Sequence, residues 1–294
     1  MKWATMHVDS HAGVIDLGHA LRAGWVEFAY QPKIELRRRH VVGIEMFVRV
    51  RHPFHGLLSG SVVLPGAEDR AIAQLTVFAI RWALQAGEVL ALEGVRLPIT
   101  INVPANAVMP QALASLLPSP EQSENWPGLI LDVPKRDLLA NHAHFARVMP
   151  ELAALRLKLA ADDFCGNLRQ LMRSTNPEAL YDEMEALSRH LTKLKELALV
   201  ELKLDRELIL GCGEDKGRAM LCELVVELIH QLGGKAVAVG VEKHADAAVL
   251  REIGCDIAQG YVFSEPVGLE QLIMLFKTRR GAAAKPAVTV AAPA

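Results

Sequence analysis

The chain has 294 residues, is 51% hydrophobic, and sets 32 Lys and Arg against 34 Asp and Glu for a net charge of -2. Its mean hydropathy of +0.20 excludes a disordered chain and is enough for a sizeable core. The balanced charge excludes nucleic-acid binding by bulk charge and leaves only local basic patches. No apolar run reaches the roughly 18 residues of a membrane span. Met1 to His7 has no long apolar stretch behind its lysine, so no secretory signal is expected. Cys165, Cys212, Cys222 and Cys255 form no close pair, which predicts neither a disulfide framework nor a thiolate zinc site and suits a reducing cytoplasm.

In chain order, residues 1–15 carry little pattern and read as an arm. Val26 to Ile34 and Val41 to Val50 are strand-like runs flanking the polar turn Glu35 to His40. Ile72, Leu75, Phe78, Ala79 and Trp82 recur at steps of 3 and 4, predicting a helix from Glu68 to Ala86. Strands follow at Leu97 to Val103, Leu129 to Val133, Arg156 to Ala161, Leu199 to Leu204, Lys235 to Val239 and Asp256 to Val262. Helices are expected between them: after Pro104, over 137–155, 177–197, 215–232 and 245–253, and finally over 268–278. Residues 281–294 are low in complexity and read as a disordered tail.

Strands alternating with helices imply parallel pairing through right-handed crossovers. The expectation is a modified TIM-type (β/α)8 barrel over residues 16–280, with an antiparallel opening strand pair. Chemistry in such barrels sits where the strands end. The polar residues there are Glu45, Asn102, Lys135, Asp162, Asp163, Lys203, Asp205, Glu242 and Gln259. Acidic and amide groups converging on one mouth suit Mg²⁺ or Mn²⁺, which take oxygen ligands. Asp162-Asp163 alone would read equally as a turn or helix cap.

These strand ends resemble a known family, the EAL domain, whose active members hydrolyse cyclic di-GMP to linear pGpG. The likeness runs from about Leu17 to Phe276. Phe28 to Lys33 resembles the family's YQP strand, Gly43 to Arg49 its GxEALxR motif, Asn102 its NxS strand and Asp162-Asp163-Phe164 its DDF turn. Leu202 to Asp205 resembles IKID, Ala238 to Glu242 lies where AEGVE stands, and Gly254 to Pro266 is similar to GCDxxQGYxFxxP. The resemblance implies metal ligands at Glu45, Asn102, Asp162 and Asp163, a water-positioning Lys203, and ligand contacts from Gln31, Glu45, Arg49 and Gln259.

Two departures bear on chemistry. Leu129 to Lys135 lies where the family has ELTE, so the resemblance puts Lys135 in place of a metal-ligating Glu; a slip of one residue would bring Pro134 or Arg136 there instead. A lysine only donates, and among Asp162, Asp163 and Glu45 it would repel a metal and neutralise the carboxylates in its stead. Val239 stands where the family has its general base, and acid-base groups contribute about 10²–10⁴-fold. Met46 and Phe47 replace the Ala and Leu of the motif, and the loop after Asp163 lacks the family's Gly-Thr-Gly. The stretch from Asp162 to Lys203 is longer than the family pattern, reading as an insertion near 173–191 that is either a lengthened helix or a partner surface.

The basic run Arg37-Arg38-Arg39-His40 reads as a solvated turn, and no DNA-binding motif is visible, so direct DNA binding is not expected. His142 and His144 read as surface positions on a helix. For Arg49 two readings stand: a phosphate contact, or an ion pair with a carboxylate such as Glu45. The functional expectation is a catalytically inactive regulator, a repressor of virulence-gene expression working through a protein partner, cyclic di-GMP, or both. The alternatives are a metal-independent cyclic di-GMP receptor and a weak phosphodiesterase. No cofactor is expected; Mg²⁺ or Mn²⁺ would matter only with residual activity, for which Asp132, Asp205 or Glu242 would have to supply the missing group. A homodimer fits the family.

Overall fold

A computed structural model of the chain describes residues 15–118, 126–164 and 189–283. Residues 1–14 of the expected arm, most of the insertion, residues 284–294 of the tail and Cys165 fall outside these residues, while residues 281–283, expected in a disordered tail, instead extend the last helix, Leu269–Ala283. Among the described residues nine strands form one sheet: β1 (Val26–Glu35), β2 (His40–His52), β3 (Gly56–Ser59), β4 (Ile99–Asn102), β5 (Leu129–Pro134), β6 (Leu157–Asp162), β7 (Glu201–Leu204), β8 (Lys235–Val239) and β9 (Ile257–Gln259). From β2 through β4 to β9 every barrel neighbour is parallel. β1 stands between β2 and β9 and runs antiparallel to both, closing eight strands into a barrel. β3 hangs on β2 as a hairpin outside that ring. The antiparallel opening pair and the (β/α)8-type architecture are as the alternation of elements implies.

The β1–β2 turn forms where Arg39 adopts a left-handed φ of 57° and the Glu35 carboxylate accepts the Arg38 N–H at 2.6 Å. The arginines of that turn are exposed. The helix Asp69–Leu92 packs Leu75, Ala79, Ile80, Ala83, Ala86 and Leu90 against the barrel. Each such Leu or Ile contributes about 1.5–3 kcal/mol on burial. This helix is long and apolar enough to cross a membrane by length and composition, but its inward face is a wall of the barrel. Asp215 starts the helix Lys216–Gln231 by accepting the N–H groups of Gly217 and Arg218 at 2.8 and 3.2 Å.

Several elements differ from expectation for local reasons. The helix expected over 137–155 divides into Lys135–Ala140 and His142–Ala154, because Asn141 leaves the helical region at φ -110° and ψ 25°. The helix after Pro104 is cut to single turns at Ala105–Ala107 and Pro110–Ala114. The helix Leu17–Arg22 has too little pattern to stand out, and Asp16 caps it by accepting the His19 N–H at 3.0 Å. β3, four residues long, lies below what alternation can reveal. His142 and His144 are not free surface groups: their Nε2 atoms meet the carbonyls of Lys193 at 3.0 Å and Val108 at 2.9 Å, tying this helix to its neighbours.

Candidate functional site

Side chains alternate across a strand, so every second residue of a barrel strand enters the lumen. This sets two charged layers. In the lower one, Lys33 of β1 donates to Thr100 Oγ1 of β4 and to Glu201 Oε2 of β7, both at 2.6 Å, and is fully buried. Gly43 lies opposite Lys33 on β2, where a Cβ would come within 2.8 Å of the lysine Cε. The glycine thus makes room for the buried lysine.

The upper layer stands at the C-terminal ends of the parallel strands. Lys203 of β7 donates to Glu45 Oε1 and Oε2 at 2.9 and 2.8 Å and to Asp132 Oδ2 of β5. All three side chains are buried. Asn102, beside Asp132 in register, donates to Glu45 Oε1 at 3.3 Å. One ammonium between two carboxylates neutralises one of them in full. Burial raises the Glu45 carboxyl, but the charge and hydrogen bonds of Lys203 outweigh it and hold Glu45 below its ordinary range. Burial, opposed by Lys203 and reinforced by Glu45 and Asp162, pushes Asp132 up to about 7. Burial works against the Lys203 charge, yet Asp132, Glu45 and Asp162 together hold the lysine pKa well above its usual value. Asp132 Oδ1 is buried with no hydrogen-bond partner.

These groups line one side of a cavity of about 1170 Å³, together with Gln31, Arg49, Asp162, Val239 and Gln259. Gln259 Nε2 donates to Gln31 Oε1 at 2.8 Å, and Gln31 Nε2 donates to the Ser264 carbonyl at 2.7 Å. Gln259 Oε1 is buried without a partner. Arg49 donates to the Val48 carbonyl at 2.9 Å rather than to Glu45, so the ion-pair reading of Arg49 does not hold. Its guanidinium lies 5.8 Å from the Phe47 ring, and desolvation lowers its pKa. At the rim, Arg206 grips Glu242 through two bonds of 2.9 and 3.0 Å, which lowers the Glu242 pKa. Gly240, at φ +74°, lets this arginine cross the strand end, since a Cβ there would lie 2.8 Å from the Arg206 Cβ.

The structure corrects the assignment at Lys135. This residue lies one step past β5 and opens the next helix, and its Nζ donates to the Phe164 carbonyl at 2.7 Å. It therefore does not neutralise Glu45. Lys203 does so, and the carboxylate that β5 sends into the mouth is Asp132. Alternation could have found Asp132, because it lies opposite Asn102 with the same inward phase. Lys33 and Glu201 were missed for want of any motif role. Asp163 is exposed at a left-handed φ of 52° and lies outside the cavity lining, while Asp162 is part of it. Of the carboxylates that might replace a lost group, Asp205 caps the helix Arg206–Ile209 by accepting the Leu208 N–H at 2.9 Å, and Glu242 is held by Arg206.

The EAL domain family model matches residues 15–176 and 182–266, and the chain belongs to that family. It is similar to the cyclic di-GMP phosphodiesterase NbdA of Pseudomonas aeruginosa, 29% identical over 278 residues, which cover 92% of this chain and 33% of that protein. It is also similar to the cyclic di-GMP phosphodiesterase RocR of the same organism, at 26% identity over 86% of this chain and 60% of RocR. The chain thus spans about a third of the length of NbdA. Among solved structures, the PaMucR phosphodiesterase in complex with c-di-GMP superposes with a TM-score of 0.70 and 27% identity, covering 87% of this chain and 98% of that one.

A divalent metal is the group this family implies. The donor chemistry of Glu45, Asn102, Asp132 and Asp162 suits Mg²⁺. Their placement does not: among the described residues no three His, Cys, Asp or Glu side chains converge to hold a metal, and Lys203 engages the two innermost carboxylates. The residues as placed do not fit a two-metal centre.

Proposed function

We propose that this chain is a non-hydrolytic EAL domain that binds cyclic di-GMP without a metal and acts as a regulator. The observation that carries the reading is Val239. It ends β8 in the cavity lining, paired in register with Gln259, where no proton can be accepted. Glu242 and Asp205, the nearby alternatives, are engaged in an ion pair and a helix cap. The ligand side of the site is intact: Arg49 presents a guanidinium with no carboxylate bonded to it among the described residues, and Gln31 and Gln259 offer amides.

A domain that does not turn over its ligand needs a partner to read its state. The output we propose is repression of virulence-gene expression through a protein partner, in the manner of the Bordetella regulator of this family. The chain would work in the cytoplasm, as a homodimer or with that partner. Cys212, Cys222 and Cys255 being free and buried supports a reducing setting. One observation favours a competing reading, a weak phosphodiesterase: Asp132 has an unpartnered oxygen and a pKa raised to about 7, the range of a general base.

Calorimetric titration with cyclic di-GMP, with and without Mg²⁺, tests the proposal. Binding of equal strength in both buffers is expected, with no pGpG formed in Mn²⁺ above a no-enzyme control. Metal-dependent turnover by the unmodified chain would overturn the reading and promote Asp132 to the base. Val239→Glu should restore little hydrolysis by itself, because Lys203 still holds Glu45 and Asp132.

A further inference from the structure

The β2–β3 hairpin turns on a histidine. His52 ends β2, and its Nδ1 accepts the backbone N–H groups of Phe54 and His55, each at 3.2 Å. Asn and Asp side chains commonly do this in turns. Unlike theirs, a histidine acceptor nitrogen is lost on protonation, because both ring nitrogens then donate. The folded turn therefore holds His52 neutral.

The surroundings also resist a charge on this ring. His55 of the turn lies 4.6 Å away, centroid to centroid, and Trp25 packs at 5.1 Å with its ring at 73° to the imidazole. His19, from the helix Leu17–Arg22, packs on the other side of Trp25 at 4.9 Å. Arg51, beside His52 on β2, and Glu27 of β1 are closed on each other at 2.7 Å, and Arg22 and Asp16 at the helix that carries His19 lie 3.9 Å apart. Desolvation first, then His55 and His19, hold the His52 pKa below its ordinary value.

The strand that leaves the turn leads into a wall of the cavity. β3 pairs Ser59 with Arg49, Leu58 with Val50, Leu57 with Arg51 and Gly56 with His52. Ser59, Gly60 and Ser61 line the cavity alongside Arg49. We propose that the β2–β3 hairpin is a pH-sensitive wall of the ligand cavity, in which protonation of His52 Nδ1 breaks the turn from His52 to Gly56 and slackens the strand paired with Arg49. The proton turns an acceptor into a donor facing two amide donors, and sets a cation beside His55 and His19. Because folding favours neutral His52, the turn is intact above the ordinary histidine value of about 6.5 and is lost as the pH falls through the lower folded value.

The inference rests on the cyclic di-GMP reading only for its second test. The first uses the full chain without ligand: hydrogen exchange over residues 53–59, corrected for intrinsic rate, at pH 7.5 and 5.5. Protection should fall about fivefold at the lower pH, the loss of roughly one net hydrogen bond. His52→Asn keeps an acceptor that does not titrate, so its protection should be the same at both pH values. His52→Ala should exchange fast at both. Identical pH profiles for the wild type and His52→Asn would overturn the proposal. The second test is cyclic di-GMP affinity, expected to weaken at pH 5.5 in the wild type and not in His52→Asn. Absence of binding at any pH would sink the receptor reading while leaving the exchange result to decide this one. Binding that is pH-independent in the wild type would show that the turn does not reach the site.

Discussion

Two lysines enter the barrel lumen at different depths, and their surroundings differ in one respect that separates scaffold from site. Lys33 meets one carboxylate and one hydroxyl, its side chain is 0% exposed, and every charge is matched. Lys203 meets two carboxylates with a third, Asp162, close enough to act on it, and the layer leaves Asp132 Oδ1 and Gln259 Oε1 without partners. The lower layer is closed and balanced. The upper layer opens on a cavity and leaves two acceptors unpaired. Unmatched polar groups in a low-dielectric site are costly to hold, which sets the upper layer apart from the lower one.

The largest expected effect follows from the closed layer. Lys33→Met strands Glu201 in the core and should cost about 3–5 kcal/mol in urea denaturation. A loss under about 1 kcal/mol would class this pair with exposed ones and erase the contrast. Lys203→Met should cost less, about 2 kcal/mol, because Glu45 and Asp132 can take water from the cavity. It should also let Mg²⁺ bind, visible by calorimetry, since the lysine no longer holds both carboxylates. Arg49→Ala should leave stability nearly unchanged and weaken cyclic di-GMP by ten- to hundredfold, the scale of a charge-assisted hydrogen bond.

The smallest effect is a pH slope. Asp132 binds its proton more tightly when folded, near 7, than at its ordinary value of 3.8. Between these values the folded chain holds a proton that the unfolded chain has released, so Asp132 makes stability fall as the pH rises through this window. Asp132→Asn should flatten that part of the stability curve. A curve unchanged by the substitution would mean that Asp132 stays charged throughout, with the Lys203 ammonium shared between two ionised carboxylates.

The sequence by itself determined the eight barrel strands, the antiparallel opening pair and the polar identity of the mouth, because strand alternation and strand-end chemistry are local and periodic. Glu45, Asn102, Asp162, Lys203 and Gln259 were legible in this way, whereas Val239 stood out only through the resemblance to the family, as the residue in place of its general base. Which charge answers which was not legible. Lys135 and Lys203 are both lysines near strand ends, and only closure of the barrel shows that one bonds the Phe164 carbonyl while the other spans from β7 to Glu45 and Asp132. The pairing of Lys33 with Glu201 joins residues 168 positions apart. The His52 turn is local in sequence, yet its link to Arg49 exists only through the β3 register. Partnership between charges depends on distance and burial, and those are fixed by how eight strands close on one another rather than by the order of residues along any one of them.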